Sequence, residues 1–438
     1  MKKVLILAYD FPPNNSVGSL RPHSWFKYLK EFGFYPVVVT RYWEANIRRP
    51  VDTIRASSKK IVEIEEQEQG TIIRVPYNPN LSNKILIKFS ERRLILIRKL
   101  VSFLFSILKY SFPTFDSTKN IYQEAEKYLR KSSCDVIIAT GEPFILFKYA
   151  SKLSKQYGIP WIADYRDEWS TNCITNNFYF LVRLSRLMLA YYFKELEKTY
   201  VSSALLITTV SSQLQKRLKR FHKDKPTFVI YNGYDFEIKE KIEQSKSCFQ
   251  IAYSGTVYSY FPVELFLDGY RSFIKKSGCE KTRVIFYGVD FYSAQKKYVY
   301  SFDQSLRNNI FTTERLPFEQ LLSELQKSNV LLLFSEGETG AIPVKLFEYL
   351  AIDRMILMVK NDFGPMEKIM KDCNGGIICS TVDEVEVALS KLYGEYLNNG
   401  SVEHKSINYE VYSRRNQVKI LGELLLKVVD NFDKKRLN

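Results

Sequence analysis

Short apolar runs recur along the whole sequence, and most precede a segment with the helical spacing of apolar residues. In the first half these runs are Val4–Ala8, Pro36–Thr40, Thr71–Val75, Asp135–Ala139, Pro160–Asp164, Ala204–Thr208 and Thr227–Tyr231. In the second half they are Gln250–Tyr253, Val284–Tyr287, Ile310–Thr313, Val330–Phe334, Met355–Val359 and Gly376–Cys379. Runs this apolar are typical of strands buried on both faces of a parallel sheet. The alternation therefore predicts an α/β fold built on parallel sheets.

The length of the chain indicates more than one domain. At 438 residues it is too long for one ordinary hydrophobic core. The charged segment Glu237–Lys246 separates the two sets of strands, which places an interdomain linker at about 236–248. We therefore predict an N-terminal domain over 1–236 and a C-terminal domain over 249–410. The last helical pattern, within 411–438, has no strand after it and is predicted to cross back to the N-terminal domain.

Composition limits the classes of partner and cofactor. The net charge of +16 favours an anionic partner, which is nucleic acid, acidic lipid or a phosphorylated substrate. The six cysteines include no C-x-x-C pair and the three histidines lie far apart, so neither a disulfide framework nor a metal site is indicated. The apolar run near the N-terminus is too short for the core of a signal peptide. We expect a cytoplasmic location and no metal or cofactor.

Residues 335–360 contain a glycine loop and a short predicted helix between two of the apolar runs. The loop holds Gly337 and Gly340, and Pro343 suits the first turn of the helix Val344–Ala351. Phosphate binds where such a loop leads into a helix at the carboxyl edge of a parallel sheet. The reason is that free N–H groups and the positive end of the helix dipole point outward there.

Lys345 and Glu348 stand three residues apart on this predicted helix and therefore share one of its faces. The lysine can add positive charge beside a phosphate. The glutamate, one turn deeper, can accept two hydrogen bonds from a sugar diol. The alternative interpretation is a surface ion pair between the two side chains.

The predicted strand Pro160–Asp164 runs into the sequence D-Y-R-D, in which Asp164 and Asp167 flank Arg166. Open parallel sheets bind their ligands at the carboxyl ends of the strands. Charged residues at that edge are costly unless they are paired. The motif therefore either forms an internal ion pair or faces a polar ligand.

The first strand is followed by a predicted loop over Tyr9–Ser19 and a predicted helix over Leu20–Phe32, which together with the second strand form a right-handed βαβ unit. The unit lacks G-x-G-x-x-G and is therefore not a dinucleotide-binding fingerprint. Gly18 either allows a ligand or a facing domain to approach the backbone, or is a simple turn glycine. His23 lies on the helix and is either a helix-face residue or part of a site.

Residues 81–112 combine bulky apolar residues with seven basic residues and one acidic residue. The longest uncharged run, Leu100–Leu108, is far below the roughly 20 residues that span a bilayer. The composition of 85–112 favours a helix lying in the headgroup region of an anionic membrane. The alternative is a pair of helices on the flank of the domain whose long basic side chains reach solvent.

Six motifs occur in order along the chain. They are K-V-L-I-L-A-Y-D-F-P-P-N-N-S-V-G-S-L-R-P, W-I-A-D-Y-R-D-E-W-S, T-T-V-S, Y-N-G-Y-D, Y-S-G-T and I-P-V-K-L-F-E-Y-L-A. In this series the chain resembles bacterial glycosyltransferases of family 4 (glycosyltransferase group 1). The resemblance implies the GT-B fold, in which two Rossmann-like domains face each other across a central cleft. The segment at roughly 41–130 is not covered by the resemblance.

The resemblance implies a site for a nucleotide-diphosphate sugar. The family's ribose-binding glutamate matches Glu348, whereas the glutamate expected eight residues earlier falls on Gly340, with Glu336 and Glu338 nearby. The basic residues that often follow Gly255 in the family are missing, so Lys345 is the candidate for the diphosphate charge. The donor-binding residues implied in total are Gly18, Gly255, Thr256, Thr339, Gly340, Ala341, Ile342, Lys345, Leu346 and Glu348.

The resemblance also implies an acceptor side. Asp167 occupies the position at which many relatives carry a histidine near the reacting carbon, and we expect it to be catalytic together with Lys345. Arg21, His23 and Arg166 are the acceptor-side candidates. The implied reaction retains configuration at the anomeric carbon and needs no metal. It moves a sugar to a saccharide or lipid-linked acceptor in surface polysaccharide biosynthesis. If 85–112 binds lipid, the reaction takes place at the inner face of the cytoplasmic membrane.

Three other functions stay open at this stage. The net charge allows a nucleic-acid-binding protein, although no known binding motif is present, so we expect none to bind. The same fold could carry an epimerase of nucleotide sugars. The glycine at position 340 also leaves open a sugar-nucleotide-binding protein without catalysis.

Overall fold

The computed structural model describes residues 1–45, 47, 49–89, 94–170, 180–278, 281–302, 306–338 and 340–437. The chain divides into two compact units. The first consists of Met1–Val210, Leu214–Asn232 and Gln417–Asn438, and the second of Ser211–Gln213 and Gly233–Asn416. The end of the chain thus belongs to the first unit, although it follows the second in sequence.

In the described part of the first unit, one sheet contains the strands β1 (Lys2–Leu7), β2 (Phe34–Arg41), β3 (Glu63–Glu66), β4 (Thr71–Val75), β5 (Val136–Gly141), β6 (Trp161–Tyr165), β7 (Leu206–Thr209) and β8 (Thr227–Val229). Their order across the sheet is β3-β4-β2-β1-β5-β6-β7-β8. All neighbouring pairs are parallel except β3 and β4. The carboxyl ends of the parallel strands therefore share one edge.

The helices associated with this sheet are α1 (Val17–Tyr28), α2 (Leu81–Phe89), α3 (Ile95–Ser111), α4 (Lys119–Lys131), α5 (Ile145–Tyr157), α6 (Phe180–Val201), α7 (Ser212–Phe221) and, at the end of the chain, α14 (Arg414–Leu437). Among the helices described here and in the second unit, none combines the length and the apolar character needed to cross a membrane.

The second unit has a parallel sheet whose described strands are β9 (Phe249–Ser254), β10 (Thr282–Tyr287), β11 (Ile310–Thr312), β12 (Val330–Phe334), β13 (Met355–Val359) and β14 (Gly376–Cys379). Their order is β11-β10-β9-β12-β13-β14. The accompanying helices are α8 (Val263–Ser277), α9 (Ser293–Tyr300), α10 (Phe318–Lys327), α11 (Val344–Ile352), α12 (Pro365–Asp372) and α13 (Val382–Asn399).

Strand β1 shows why the strands lack the alternation of apolar and polar residues that a half-exposed strand has. Leu5 and Leu7 belong to one buried cluster, whereas Val4 and Ile6 belong to another. Successive side chains of a strand point to opposite faces, so both faces of the first sheet are covered. Helix α14 contributes Leu425 to the cluster that contains Val4 and Ile6.

The predicted α/β class with parallel sheets is confirmed. The bounds predicted for β4, β12, β13 and β14 are the observed ones. These strands are short apolar runs between turn residues, so little else competes for their conformation. Most other predicted strands differ from the observed ones only at their ends.

Two details of the predicted elements are wrong. Helix α1 begins at Val17 and not at Leu20, so Gly18 lies in its first turn instead of in the preceding loop. The sequence pattern does not predict β3, which reads E-I-E-E and contains acidic residues that rarely form strands. Pairing with β4 at the edge of the sheet overrides that weak preference.

A buried ion pair holds the centre of the first sheet. The guanidinium of Arg21 donates to the carboxylate of Asp164 at distances of 2.6 to 3.1 Å, and to the carbonyl of Ile230 at 2.5 Å. Thr140 and Thr208 donate further hydrogen bonds to the carboxylate, at 2.8 and 2.7 Å. The arrangement joins α1 to β5, β6 and β7, and its charges and lone pairs are satisfied inside the protein.

We expect the Asp164→Asn substitution to destabilise the first unit by about 3–5 kcal/mol, because it leaves the guanidinium of Arg21 buried without its counter-charge. Chemical denaturation followed by circular dichroism measures this change. Asp167→Asn is the matched control, since the same exchange three residues later falls on an exposed side chain. Equal unfolding midpoints for the two variants would contradict the structural role of the ion pair.

Candidate functional site

The predicted donor residues of the second unit lie at the carboxyl edge of its sheet, where β9 and β12 end. Strand β12 continues into the loop 335–343, in which every residue except 339 is described, and α11 follows. Gly337 and Gly340 have φ angles of 76° and 75°. Glycine adopts this left-handed region at little cost, so the two glycines allow the tight path of the loop.

Lys345, in the first turn of α11, reaches the end of strand β9. Its ammonium group lies 3.4 Å from the hydroxyl of Tyr253 and 5.0 Å from the centre of that ring, within the range of a cation–π interaction. A Cβ atom on Gly255 would come within 2.8 Å of Lys345 Cε, and Gly255 has a φ of 96°. Gly255 is therefore needed both for the backbone conformation and for the approach of Lys345.

Glu348 follows one turn later on α11. Burial raises the pKa of Glu348, and the positive charges of Arg414 and Lys345 oppose this rise only in part. Burial reduces the number of water molecules that can donate hydrogen bonds to this carboxyl group. Donors from a ligand, such as the hydroxyls of a sugar, would stabilise its charged form.

Burial lowers the pKa of Lys345 to about 8, and the nearby charge of Glu348 opposes the shift. The cause is that the surrounding protein solvates an ammonium group less well than water does. An anion placed beside Lys345 would compensate for the lost solvation. The site thus has an uncompensated preference for negative charge.

Several hydrogen bonds hold the donor edge in place. The hydroxyl of Tyr349 accepts a hydrogen bond of 3.0 Å from the N–H of Ser254, which joins α11 to the end of β9. The N–H of Gly337 donates to the hydroxyl of Ser335 at 2.9 Å. A Cβ on Gly337 would lie 3.1 Å from Lys360 Cε, so this lysine packs against the loop.

The other predicted donor residues have different surroundings. The two loops at this edge contain Thr256, Gly340, Ala341 and Ile342. Leu346 is fully buried and its N–H donates to the carbonyl of Pro343, so its side chain is part of the core. Thr339 lies outside the described residues. The assignment of these residues to a donor stays a prediction.

Arg166 is placed at the carboxyl edge of the first sheet. It donates to the carbonyls of Gly141 and Glu142 at 2.8 and 2.7 Å, and its guanidinium lies 3.5 Å from the carboxylate of Asp10. A Cβ on Gly18 would lie 2.2 Å from Arg166 Nη1. Gly18 therefore leaves room for Arg166 within the first unit, which explains this glycine without a donor contact.

Asp167 and Glu142 occupy the same edge. Although both side chains are exposed, neighbouring protein atoms displace part of the water around each carboxyl group. This desolvation raises the pKa of Asp167, and Arg166 opposes that shift. Desolvation also raises the pKa of Glu142, as does the charge of Asp167, whereas Arg166 and Lys109 lower it. Two exposed carboxyl side chains that repel each other are therefore available for a polar ligand at this edge.

The structure changes the interpretation of Arg21 on the acceptor side and leaves that of His23 as it was. Arg21 is 2% exposed and its charge is paired with Asp164, so it is a structural residue and not an available acceptor contact. The D-Y-R-D motif thus contains an ion-paired aspartate, although its partner is Arg21 and not the adjacent Arg166. His23 is half-buried, with its ring edge-to-face against Phe11 at 5.8 Å, and its role stays a prediction.

Sequence reasoning missed three charged residues of these two edges. Glu142 directly follows β5, and Asp10 lies three residues after the end of β1, so their position after an apolar run could have identified them. Arg414 had no such local indication, because it begins α14 and is distant in sequence from Glu348. Only folding brings its charge near that carboxyl group.

Within the described parts of the chain, no group of three histidine, cysteine, aspartate or glutamate side chains is arranged to hold a metal ion. At the first edge, Asp164 is paired with Arg21, and Asp10 lies near Arg166. Positive charge at the second edge comes from side chains such as Lys345. A reaction without metal stays a prediction.

Comparisons with known proteins match the chain at the level of a family model and of solved structures. Residues 23–238 match the family model of Glycosyltransferase Family 4. No curated protein sequence is significantly similar to the chain. Similar solved structures are nevertheless numerous, and several of them cover nearly the full chain.

A glycosyltransferase from Rickettsia africae has a TM-score of 0.60 at 12% identity, over 98% of this chain and 99% of its own. The catalytic domain of starch synthase IV from Arabidopsis thaliana, bound to ADP and acarbose, has a TM-score of 0.55 at 10% identity, over 99% of both chains. A trehalose-6-phosphate structure from E. coli, bound with UDP-2-fluoro glucose, has a TM-score of 0.56 at 11% identity, over 100% and 98%. Identities this low establish the fold alone. Residues 23–238 are therefore similar to glycosyltransferase family 4, and the two sheets of the chain have the GT-B fold.

Proposed function

We propose that the protein transfers a sugar from a nucleotide-diphosphate sugar to a saccharide acceptor. The observation that carries the proposal is the placement of Lys345 against Gly255, with Glu348 one turn deeper on the same helix. The pair offers a cation for a diphosphate and a carboxylate for a ribose. The bound UDP-2-fluoro glucose and ADP of two structural neighbours support this class of donor.

The roles on the donor side follow from the chemistry of each group. Glu348 accepts hydrogen bonds from the ribose hydroxyls. Lys345 lies beside the diphosphate. Loop N–H groups and the first turn of α11 add partial positive charge.

In the transfer, the bond between the anomeric carbon and the diphosphate oxygen breaks and a bond from the acceptor hydroxyl to that carbon forms. Negative charge builds on the diphosphate as it leaves, so Lys345 and the oriented N–H groups stabilise the transition state more than the ground state. The acceptor proton passes to a phosphate oxygen. We propose retention of configuration on the same face, with no metal ion required because fixed charges of the protein supply the stabilisation.

We propose that the first unit takes the acceptor at the edge that carries Asp167. Asp167 and Glu142 can accept hydrogen bonds from acceptor hydroxyls, and Asp167 is the candidate catalytic group. Arg166 holds the loop through backbone carbonyls and is better suited to positioning than to contact. His23 stays a candidate at the same unit.

A membrane-bound acceptor is supported by helices α2 and α3. Ile97, Leu100 and Leu104 are 52%, 59% and 45% exposed and share one face of α3 by their helical spacing. The described basic residues of the same two helices are Lys84, Lys88, Arg98, Lys99 and Lys109, while Arg92 and Arg93 lie outside the described residues. Exposed apolar residues among basic ones are typical of a helix that lies on an anionic membrane.

Helix α6 extends this exposed apolar surface. The hydroxyl of Tyr192 donates to the carbonyl of Ile107 at 3.2 Å, which places α6 beside α3. Leu187, Met188 and Tyr191 of α6 are 47%, 66% and 69% exposed. We therefore propose a peripheral location at the cytoplasmic membrane, a lipid-linked acceptor and a role in surface polysaccharide synthesis.

Nucleotide binding should depend on pH through Lys345. The ammonium form is the one that binds a diphosphate, and it is lost as pH rises through the pKa of about 8. We expect the Kd of the nucleoside diphosphate that binds best among UDP, ADP and GDP to rise up to tenfold per pH unit above pH 8. Calorimetric titrations from pH 6.5 to 9.5 measure this dependence.

Lys345→Arg is the matched control, because its guanidinium remains charged over the whole range and should remove the rise in Kd. Lys345→Gln and Glu348→Gln should each weaken nucleotide binding at pH 7. Indistinguishable pH profiles for wild type and Lys345→Arg would exclude Lys345 from the diphosphate site. Nucleoside diphosphate released only when acceptor is present distinguishes a transferase from an epimerase.

Membrane binding is tested by co-sedimentation with vesicles that contain either neutral phosphatidylcholine alone or an added anionic phosphatidylglycerol. We expect binding to the anionic vesicles, reduced by salt because the basic residues act through screened charge. The double variant Ile97→Ser and Leu100→Ser should lose most of this binding. Val387→Ser and Leu397→Ser, equally exposed residues of α13, form the control pair.

Equal sedimentation of the two double variants would rule out the α3 surface as the contact. Duplex DNA at the same concentration of phosphate serves as a second probe. Tighter binding to the duplex than to the anionic vesicles would favour a nucleic-acid partner over a membrane.

A further inference from the structure

Two tyrosines form an exposed aromatic stack on the loop that follows β9. The rings of Tyr258 and Tyr260 are nearly parallel, with centroids 5.1 Å apart and an interplanar angle of 5°. The two side chains are 46% and 56% exposed. Single exposed aromatic residues need no explanation, but two rings stacked on each other in solvent present a preformed flat surface.

The stack is anchored to the core. Phe261 lies edge-on to both tyrosine rings, at 5.3 and 5.2 Å, and it stacks on Phe334 at the end of β12. Phe334 is 2% exposed, so the support beneath the tyrosines is part of the hydrophobic core. A surface held in this way loses little conformational freedom when a ligand binds.

Backbone contacts hold the same loop. Gln295 accepts a hydrogen bond of 3.2 Å from the N–H of Val257, and the hydroxyl of Tyr253 donates to the carbonyl of Thr256 at 2.6 Å. The hydroxyl of Tyr298 donates to the carbonyl of Ser259 at 3.3 Å. Three residues of this loop, at positions 256, 257 and 259, are therefore held by side chains from other parts of the second unit.

The stack lies beside the candidate donor site. Glu336, at the start of the loop after β12, interacts with the hydroxyl of Tyr260. Burial and the charge of this carboxylate raise the pKa of Tyr260 to about 12. Lys345 contacts Gly255, in the same post-β9 loop as the tyrosines, whereas Glu348 lies one helical turn deeper. If Glu348 holds the ribose and Lys345 the diphosphate, the tyrosines lie towards the sugar end of the donor.

We propose that Tyr258, Tyr260 and Glu336 form a binding site for the pyranose ring of a sugar. A pyranose has an apolar face of C–H groups and a rim of hydroxyls. The aromatic surface can cover the C–H face, and Glu336 together with the tyrosine hydroxyls can bind the rim. This inference rests on the proposed function for its choice of ligand.

The same chemistry fits two sources of sugar. The ring belongs either to the sugar that the donor carries or to the terminal residue of the acceptor. If the ring is that of the donor sugar, Glu336 would replace the carboxylate that the resemblance leads us to expect at position 340. The structure places a carboxylate at Glu336, four residues earlier in the chain, next to an aromatic surface.

The test compares Tyr258→Ala, Tyr260→Ala and Glu336→Gln with wild type by calorimetry. The probes are UDP, ADP and GDP, the glucose conjugate of each, and maltotriose with methyl α-glucopyranoside as acceptor-like sugars. Phe228→Ala is the matched control, since it removes a 38% exposed aromatic ring from the edge strand β8 of the first unit. Circular dichroism spectra identify any variant that does not fold.

If the site holds the donor sugar, each tyrosine variant should bind the nucleotide-glucose conjugate about tenfold more weakly while its affinity for the free nucleotide is unchanged, a loss of about 1.4 kcal/mol. If it holds the acceptor, the affinity for the free sugars should fall instead. Either result supports the proposal. Unchanged affinities throughout, or an equal loss for the nucleotide and its conjugate, would overturn it.

The outcome for the proposed function is separate. A wild-type protein that binds none of the nucleotides or conjugates contradicts the proposed transferase activity. In that case the titrations with free sugars test the aromatic site by themselves. Weaker sugar binding in the tyrosine variants than in wild type supports the site. The site is overturned if wild type binds no free sugar, or if the variants bind it as tightly as wild type does. Tyr260→Phe, which keeps the ring, should retain binding if stacking dominates, whereas Glu336→Gln tests the hydrogen bonds.

Discussion

An ammonium group that is poorly solvated and only partly compensated by a neighbouring carboxyl group is the constraint on which the donor edge depends. Lys345 is held beside the Tyr253 ring and over Gly255, where burial lowers its pKa. Removing water from a cation costs free energy that a nearby carboxyl at Glu348 offsets only partly. An anion in the loop would complete the compensation. The poor solvation of Lys345 therefore both lowers the stability of the fold and favours the binding of an anion.

The two sheet edges show opposite solutions to the same electrostatic problem. At the first edge, Asp164 receives hydrogen bonds from Arg21, Thr140 and Thr208, so the charge is satisfied and the cluster supports the fold. At the second edge, Lys345 and Glu348 have pKa values shifted towards their neutral forms. A buried charge that is fully paired within the protein indicates a role in stabilising the fold. A buried charge that is only partly paired indicates a place where a ligand binds. The distinction also separates Asp164 from Asp167 within one short motif.

Much of the fold could be predicted from the sequence because parallel strands are local and strongly apolar. The run Val330–Phe334 has no competing conformation, and its bounds were predicted as observed. The acidic strand β3 escaped prediction because only its pairing with β4 stabilises it. Lys345 and Glu348 were predicted to share a face because three residues is less than one helical turn. Arg414, whose charge acts on Glu348, could not be predicted from the residues around it in the sequence.

The order of apolar runs, the glycine loop and the spacing of Lys345 and Glu348 were determined by the sequence alone, because strand and helix periodicity act over a few residues. Tertiary structure decided which charges are paired. Arg21 was a candidate contact until folding placed it against Asp164, and Gly18 until Arg166 filled the space beside it. Tyr258, Tyr260 and Glu336 come together only when β9 and β12 lie side by side. Such pairings depend on distances between strands that no local pattern encodes.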